Sequence, residues 1–400
     1  MVDSFIPQIR FKMCKNQWEK NKLSKLAKFN PKSTLPEKFK YVDLESVLGT
    51  DLISYREVSR ENAPSRAQRL AQKGDIFYQT VRPYQKNNYL FDSNEKDYVF
   101  STGYAQLRPL IDSAFLLARL QEESFVNMVL ERCTGTSYPA INSKDLSKIS
   151  VTIPQTIEEQ SGIGSLFRTL DDLLTSYKEN LVNYQSLKAT MLSKMFPKVG
   201  QTVPEIRLDG FEEEWRKCYL GSIFEQVSNY IEPSVDNELW SLTVEKGLTP
   251  KTDRYKRDFL VKKNDKFKKV DINEFVYNPM NLTLGALDLN NKGRTISVSG
   301  YYIVINNTDV EKFDNDFLKI LLKTRYAIYQ YKQFATGTLI EKQRVQFPTF
   351  SEIPFYLPTI DEQQVIGVYF SKLDQLITSY QEKITQLETL KKKLLQDMFI

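Results

Sequence analysis

The chain has 400 residues, 41% of them hydrophobic, with 55 Lys and Arg against 50 Asp and Glu, three Cys and no His. That length can bury more than one core and points to two or three domains, while the near-balanced charge excludes a strongly acidic DNA mimic. Cys14, Cys133 and Cys218 are too few and too scattered for a disulfide framework or zinc site, which fits a reducing cytoplasm; no signal pattern opens the chain, no apolar run reaches bilayer length, and the missing His removes the commonest general base and metal ligand.

In chain order, residues 1–20 read as a mobile leader that docks through Trp18, and residues 21–154 as a first mixed module. Strands are expected at Tyr41-Val42-Asp43-Leu44, Asp75-Ile76-Phe77-Tyr78 and Ser150-Val151-Thr152-Ile153, between turn formers such as Asn30-Pro31, Gly74 and Asn87-Asn88. A helix over 112–132 would bury Phe115, Leu116, Leu120, Phe125, Met128 and Val129. Pro154 closes the module. Thr156, with Glu159 three residues on, predicts a capping box at the start of a long helix within 155–197. Residues 198–357 then hold a linker and a second module, with strands at Glu274-Phe275-Val276-Tyr277 and from Ser299 to Val304, and a helix near 314–333. Residues 358–400 carry a second long helix.

The two long segments are copies. Glu159-Gln160, Gly164, Phe167, Leu170-Asp171, Leu187-Lys188 and Met195-Phe196 recur as Glu362-Gln363, Gly367, Phe370, Leu373-Asp374, Leu390-Lys391 and Met398-Phe399. The modules repeat too: Pro7, Ile9, Arg10 and Trp18 recur as Pro204, Ile206, Arg207 and Trp215; Asp112, Phe115 and Thr134-Gly135-Thr136 recur as Asp314, Phe317 and Thr336-Gly337-Thr338. In each helix, apolar residues fall at alternating three- and four-residue steps. They are Phe167, Leu170, Leu174, Tyr177, Leu181, Tyr184, Met191 and Met195, then Phe370, Leu373, Ile377, Tyr380, Ile384, Leu387, Leu394 and Met398. Lys188 and Lys391 interrupt this seam, either snorkelling past it or fixing register and partner. Sibling helices with equivalent sticky faces bury them best on each other. We therefore expect an α+β chain: two pseudo-twofold-related mixed α/β modules separated by a pair of long helices packed as an antiparallel coiled coil.

Catalytic motifs are missing. There is no GxxxxGK[ST] loop, and Gly162-Ile163-Gly164 lacks the third Gly of a dinucleotide fingerprint. Asn278-Pro279-Met280-Asn281 lacks the second Pro and the aromatic of an amino-methyltransferase tetrad, and reads as a turn after a strand. What remains is basic. In the first module Arg56, Arg60, Ser65, Arg66, Arg69 and Arg82 cluster between turn signals, and Arg suits bidentate reading of guanine edges. In the second, Lys251, Arg254, Tyr255, Lys256, Arg257, Lys262 and Lys263, continued by Lys266, Lys268 and Lys269, would neutralise phosphates or form a solvated surface. Thr136, Ser137, Tyr138, Thr338, Lys342 and Arg344 lie at or just after the repeated Thr-Gly-Thr. There Gly135 and Gly337 read first as C-caps ending the middle helices, and second as close approaches to a phosphate.

Taken together, these features resemble the specificity subunit of Type I restriction–modification systems. The resemblance rests on the Pro-x-Ile-Arg entry with its Trp (Pro204 to Trp215), the Lys73-Gly74-Asp75 and Val81-Arg82-Pro83 runs, and the Gly-Thr before each module's exit. The Pro…Glu-Gln entries at Pro154–Gln160 and Pro358–Gln363 and the helices ending Met-Phe complete it. The first entry departs from the pattern: FKMCKNQW, ending at Trp18, stands where the second copy has LDGFEEEW. The resemblance implies two target-recognition domains, each reading one part of a split, asymmetric site in double-stranded DNA. It implies spacer helices that bind two modification subunits carrying S-adenosylmethionine, through faces including Lys178, Glu179, Glu382 and Lys383. Restriction subunits using ATP and Mg would join later, so this chain would hold no cofactor or metal and catalyse nothing itself. The residues alone leave open a coiled-coil scaffold without DNA readout and a self-sufficient methyltransferase or nuclease.

Overall fold

The duplicated segments form two continuous helices, Ile157–Lys194 and Ile360–Asp397, each of 38 residues and about 57 Å long at 1.5 Å per residue. The computed structural model describes residues 6–234, 237–251, 267–337 and 343–399. The chain divides into two compact units, and the division falls inside both helices: the first unit is Met1–Glu179 with Tyr380–Ile400, the second Asn180–Ser379. Each unit therefore holds one module, part of the helix that leaves it, and part of the other helix.

Within the first unit the helical parts run antiparallel, since Phe167 stacks on Phe399 while Tyr177 meets Tyr380. Phe167, Leu170, Leu174, Ile384 and Met398 are buried, and Tyr177, Leu387 and Leu394 half-buried, as the seam predicts. Phe399 plugs the end, with ring centroids 6.2 Å from Trp18 and 5.8 Å from Phe115. Within the second unit Phe370, Leu373 and Met195 are buried, and Leu181, Tyr184, Met191 and Ile377 half-buried. There Phe196 is the plug, 6.3 Å from Trp215, 5.7 Å from Phe317 and 6.0 Å from Phe370. The seam lysines do not snorkel: Lys391 pairs with Asp171 in the first unit, and Lys188 with Asp374 in the second. The repeated Leu-Asp and the repeated Lys are thus two ends of one cross-helix ion pair made twice, a polar contact that pins register. Burial pushes the Asp171 carboxyl up, against the pull of Lys391.

The other repeated residues meet at a joint of the same kind within each unit. Glu159, 2% exposed, accepts from Arg10 Nε at 2.6 Å, Arg10 Nη2 at 2.8 Å and Trp18 Nε1 at 3.1 Å. Glu362, 1% exposed, accepts from Arg207 Nε at 3.0 Å and Nη2 at 2.5 Å. Buried charges persist only when paired in this way. The predicted capping box is therefore half-made: Glu159 N–H donates to Thr156 Oγ1 at 3.4 Å, while the Glu159 carboxylate goes to Arg10. Gln160 and Gln363 each accept from the backbone N–H of Asp112 and Asp314, which in turn cap the middle helices through Phe115 N–H and Phe317 N–H. Gly164 is required by proximity, since a Cβ there would lie 2.6 Å from Asp112 Oδ1 and from Phe115 N. The leader is docked beyond Trp18, with Ile9 N–H donating to Asp397 O at 2.9 Å, as Ile206 N–H does to Lys194 O.

Each unit also repeats a strand frame. Glu19–Lys22, which straddles the expected 20/21 boundary, pairs with Ser150–Ile153, as Arg216–Tyr219 pairs with Pro354–Leu357. A four-stranded sheet runs Ala27–Phe29, Tyr104–Pro109, Ile76–Gln79, Tyr89–Leu90 in the first unit. Its counterpart runs Phe224–Val227, Ile303–Asn307, Phe275–Tyr277, Leu287–Leu289. What is added differs. The first unit has a second four-stranded sheet, Arg56–Ser59, Lys38–Val42, Tyr98–Ser101, Ala67–Leu70. The second has two pairs among the described residues, Trp240–Thr243 with Gly247–Pro250 and Phe267–Val270 with Ile296–Ser299.

Several expected elements are corrected. The helix over 112–132 is two, Ser113–Gln121 and Glu123–Leu130, because Glu122 caps the second by accepting from Ser124 N–H and Phe125 N–H. Thr324 does the same between Asn315–Leu321 and Arg325–Phe334. Such side chains compete for backbone donors and break a helix. Neither Gly135 nor Gly337 is a C-cap: the helices end earlier, at Glu131 and Ala335. The strand from Tyr41 stops at Val42, where the Asp43 carboxylate accepts from Glu45 N–H. The stretch from Ser299 to Val304 is strand at both ends, in Ile296–Ser299 and Ile303–Asn307, and between them a turn closed by Tyr302 N–H on Ser299 O at 3.0 Å.

Candidate nucleic-acid interface

The first Thr-Gly-Thr segment is a projecting loop. Thr134 and Ala140 exchange two backbone hydrogen bonds of 2.9 Å, with Gly135 at φ +88° making the turn. Thr136, Ser137 and Tyr138 stand exposed on this loop, Tyr138 at 63%. It leans on the turn that follows the frame strand Ile76–Gln79: Ile141 N–H donates to Thr80 O and Arg82 N–H to Pro139 O. Arg82 is left-handed, φ 55° and ψ 55°, ahead of Pro83, and its guanidinium lies 4.2 Å from the Tyr138 ring centroid. A non-glycine residue held there stores roughly 1–3 kcal/mol and marks a position the surroundings dictate. The cation–π contact presents the guanidinium already oriented.

The same corner gathers Ser65 and Arg66. Thr102 N–H donates to Arg66 O at 2.8 Å, and Thr80 Oγ1 donates to Gly103 O at 2.7 Å, so the Arg66 and Arg82 loops are two hydrogen-bonded steps apart. Ser65 and Arg66 are exposed. Arg56 sits at this end of its sheet, opposite Tyr41, and is shared with Asp43 at 3.0 Å. Arg60 follows the far end of that strand, after Ser59 pairs Lys38, so it does not join the group. Arg69 is half-buried, burial lowers its pKa, and its Nε has no partner among the described residues; it suits packing better than a solvated phosphate.

In the second unit Thr336 and Arg344 exchange backbone bonds of 3.0 and 2.9 Å, and Val345 N–H donates to Pro279 O. These flanking contacts match those of the first unit, and Arg344 is exposed. Asn278-Pro279-Met280-Asn281 is the expected turn after a strand, Met280 N–H donating to Asn278 Oδ1. Thr338 and Lys342 lie outside the described residues, as do Arg254, Tyr255, Lys256, Arg257, Lys262, Lys263 and Lys266. Lys251 is half-buried and ties to Leu239 O through its backbone. Lys268 is withdrawn from any surface role: it is 6% exposed, donates Nζ to Tyr302 O at 2.8 Å, and burial lowers its pKa. Lys269 pairs with Asp271. Sequence reading missed Lys292 and Arg294, which overlie Trp240 at 6.0 and 5.7 Å. The signal was Asn-Asn-Lys-Gly-Arg between two strands, overshadowed by the denser 251–269 run. Along the helices, Glu179 and Glu382 are exposed, while Lys178 binds Glu388 at 2.8 Å and Lys383 faces the Tyr177 ring, so these lysines brace the helix pair. No group of three or more metal-ligating side chains occurs among the described residues, and no helix is long and apolar enough to cross a membrane.

The chain is thus a doubled frame that carries unlike cation-and-aromatic loops. Residues 15–189 match the family model of the Type I restriction modification DNA specificity domain. A 139-residue stretch is 30% identical to the Type I restriction enzyme HindI specificity subunit of Haemophilus influenzae, covering 33% of this chain and 30% of that relative's length. The fold matches the Type-I restriction-modification system S subunit from M. genitalium over 99% of both chains, with a TM-score of 0.64 and 15% identity. It also matches a chain from a structure of the type I R-M system over 96% of this chain and 97% of that one, with a TM-score of 0.51 and 19% identity. Residues 15–189 are thus similar to a Type I DNA specificity domain, and the chain as a whole has the fold of that S subunit.

Proposed function

We propose that this chain is the sequence-specific DNA-binding subunit of a Type I restriction–modification complex in the cytoplasm, reading a bipartite, asymmetric duplex site. Residues 21–154 and 198–357 serve as its two target-recognition domains, the long helices as spacers, and the leader as a tie at the joint. The observation that carries the reading is the loop corner of the first unit, where Arg82 is held left-handed on Tyr138 beside exposed Ser65, Arg66, Thr136 and Ser137. An oriented guanidinium with neighbouring hydroxyls is the chemistry that reads base edges and grips phosphates. The second unit repeats the frame with different loops, which supports a different half-site.

The exposed helix flanks dock two modification subunits and then restriction subunits. The S-adenosylmethionine, ATP and Mg belong to those partners, and this chain performs no chemistry itself. The test is to map methylated sites in cells carrying this chain with its modification subunit. Replacing residues 21–154 with those of a relative of different specificity should change one half of the recovered motif and leave the other. A motif changed in both halves, or in neither, would refute the reading. Lengthening both helices by one heptad should widen the gap between the halves without altering either.

A further inference from the structure

One loop has opposite charge in the two units although its setting is the same. In the first unit Phe91 N–H donates to Asp75 O at 2.9 Å and Gly74 N–H to Phe91 O at 2.7 Å. In the second, Asn290 N–H donates to Glu274 O at 2.8 Å and Asn273 N–H to Asn290 O at 2.9 Å. Residues 91–97 and 290–295 are therefore equivalent loops, each joining the end of the frame sheet to the next strand. The first holds Asp92, Glu95 and Asp97 against Lys96 alone; the second holds Lys292 and Arg294 and no acid. The acids of the first loop are used internally: Asp92 pairs with Arg168 at 3.0 Å, while Glu95 and Asp97 pair with Lys40.

The basic loop is built to stand out and stay rigid. Asn290 Nδ2 donates to the carbonyls of Val270, Asp271 and Arg294 at 3.1, 3.1 and 2.9 Å, and Thr295 Oγ1 donates to Asp271 Oδ1 at 2.7 Å. Gly293 turns the tip at φ +72°, with nothing within 4 Å of where a Cβ would sit. Beneath it Trp240, 7% exposed, carries both cations on its ring. Arg294 is steadied by Glu238 at 2.7 Å, and Lys292 makes no ion pair among the described residues. Lys251 adjoins through Leu239, whose neighbour is Trp240. A fixed, protruding pair of cations with low ordering cost fits a repeating anion better than a base edge, which demands directional acceptors.

We propose that Lys292 and Arg294 form a grip on the phosphate backbone of duplex DNA, a contact that the acid-filled equivalent loop of the first unit lacks. It rests on the DNA reading above and makes the two units unequal: the second contributes more of the sequence-independent, salt-sensitive affinity. The test measures binding of the full chain to a mixed-sequence DNA duplex across a KCl series. Lys292→Gln should reduce the slope of log affinity on log salt by roughly 0.9, the value for one phosphate contact, and Lys292→Gln with Arg294→Gln by about twice that. Glu95→Gln in the first unit should leave the slope unchanged. The methylated motif recovered with the double variant should match that of the unaltered chain. A double variant with unaltered slope and affinity overturns the grip while leaving the DNA reading intact. A changed motif also overturns it, by making these residues base readers. An unaltered chain that fails to bind duplex removes the DNA reading itself. Coincident thermal melts of the variants and the unaltered chain separate loss of contact from loss of fold.

Discussion

Each unit contains its own copy of one joint, and the two differ in what the joint carries. In both, an arginine from the entry segment reaches the buried glutamate at the start of a long helix, an aspartate caps the middle helix against a glycine, and a phenylalanine plugs the far helix end. Beyond the joint and the shared strand frame the likeness stops: a second four-stranded sheet and an Arg82–Tyr138 corner in one, two separate strand pairs with a Lys292–Arg294 tip in the other. Residues that must fit each other repeat, because changing one alone leaves a charge or a cavity buried. Loops that face solvent are released from that constraint and diverge. The joint itself is not perfectly symmetric. Trp18 Nε1 donates to Glu159, whereas Trp215 Nε1 is buried with no partner among the described residues.

That asymmetry can be broken open at the glutamates. Glu159→Ala and Glu362→Ala should each cost up to about 3–5 kcal/mol by leaving a half-buried arginine without its carboxylate. The Glu159 change should sit at the upper end because it also orphans the Trp18 N–H. Denaturant midpoints followed by amide exchange in each unit would show it, and equal losses would contradict the third hydrogen bond. Next come the plugs. Phe399→Ala and Phe196→Ala should each lose about 3–5 kcal/mol, in the first and second unit respectively, with matched values if the aromatic clusters are equivalent.

On the proposed DNA reading, a smaller effect separates the two units. Arg82→Ala should cost about 1–3 kcal/mol of discrimination and relax one position in one half-site, read from the methylated motif, while the other half stays intact. The smallest is electrostatic and belongs to the second unit alone. Asp288, 4% exposed, accepts from Leu248 N–H at 2.9 Å and from Lys323 at 3.1 Å. Burial pushes its carboxyl up, but Lys323, the Leu248 amide and Lys319 outweigh that and hold it below its ordinary value. A carboxyl depressed in the folded state adds stability above its unfolded pKa of about 3.9 and loses it as pH falls through the lower folded value. Asp288→Asn should flatten that acid limb in the second unit and leave the first unchanged, because the equivalent strand there, Tyr89–Leu90, carries no acid. Melting against pH would check it.

The sequence by itself determined the duplication, the two long helices and their seam, because a three-and-four spacing of apolar residues has one stable outcome: burial of that stripe on a matching partner. It also marked Arg10, Glu159, Asp112 and Gly164 as important without saying that they touch, since a linear repeat carries no distances. Only the tertiary structure decided that they form one joint, that the seam lysines meet aspartates, and that Glu122 and Thr324 divide helices a periodicity reading left whole. Of the candidate cations it joined Arg66 and Arg82 in one corner, set Arg60 apart, buried Lys268, and brought forward Lys292 and Arg294. The physical reason is that helix formation follows from local pattern, whereas the reach of a charged side chain depends on which backbone amides, carbonyls and rings the fold places around it.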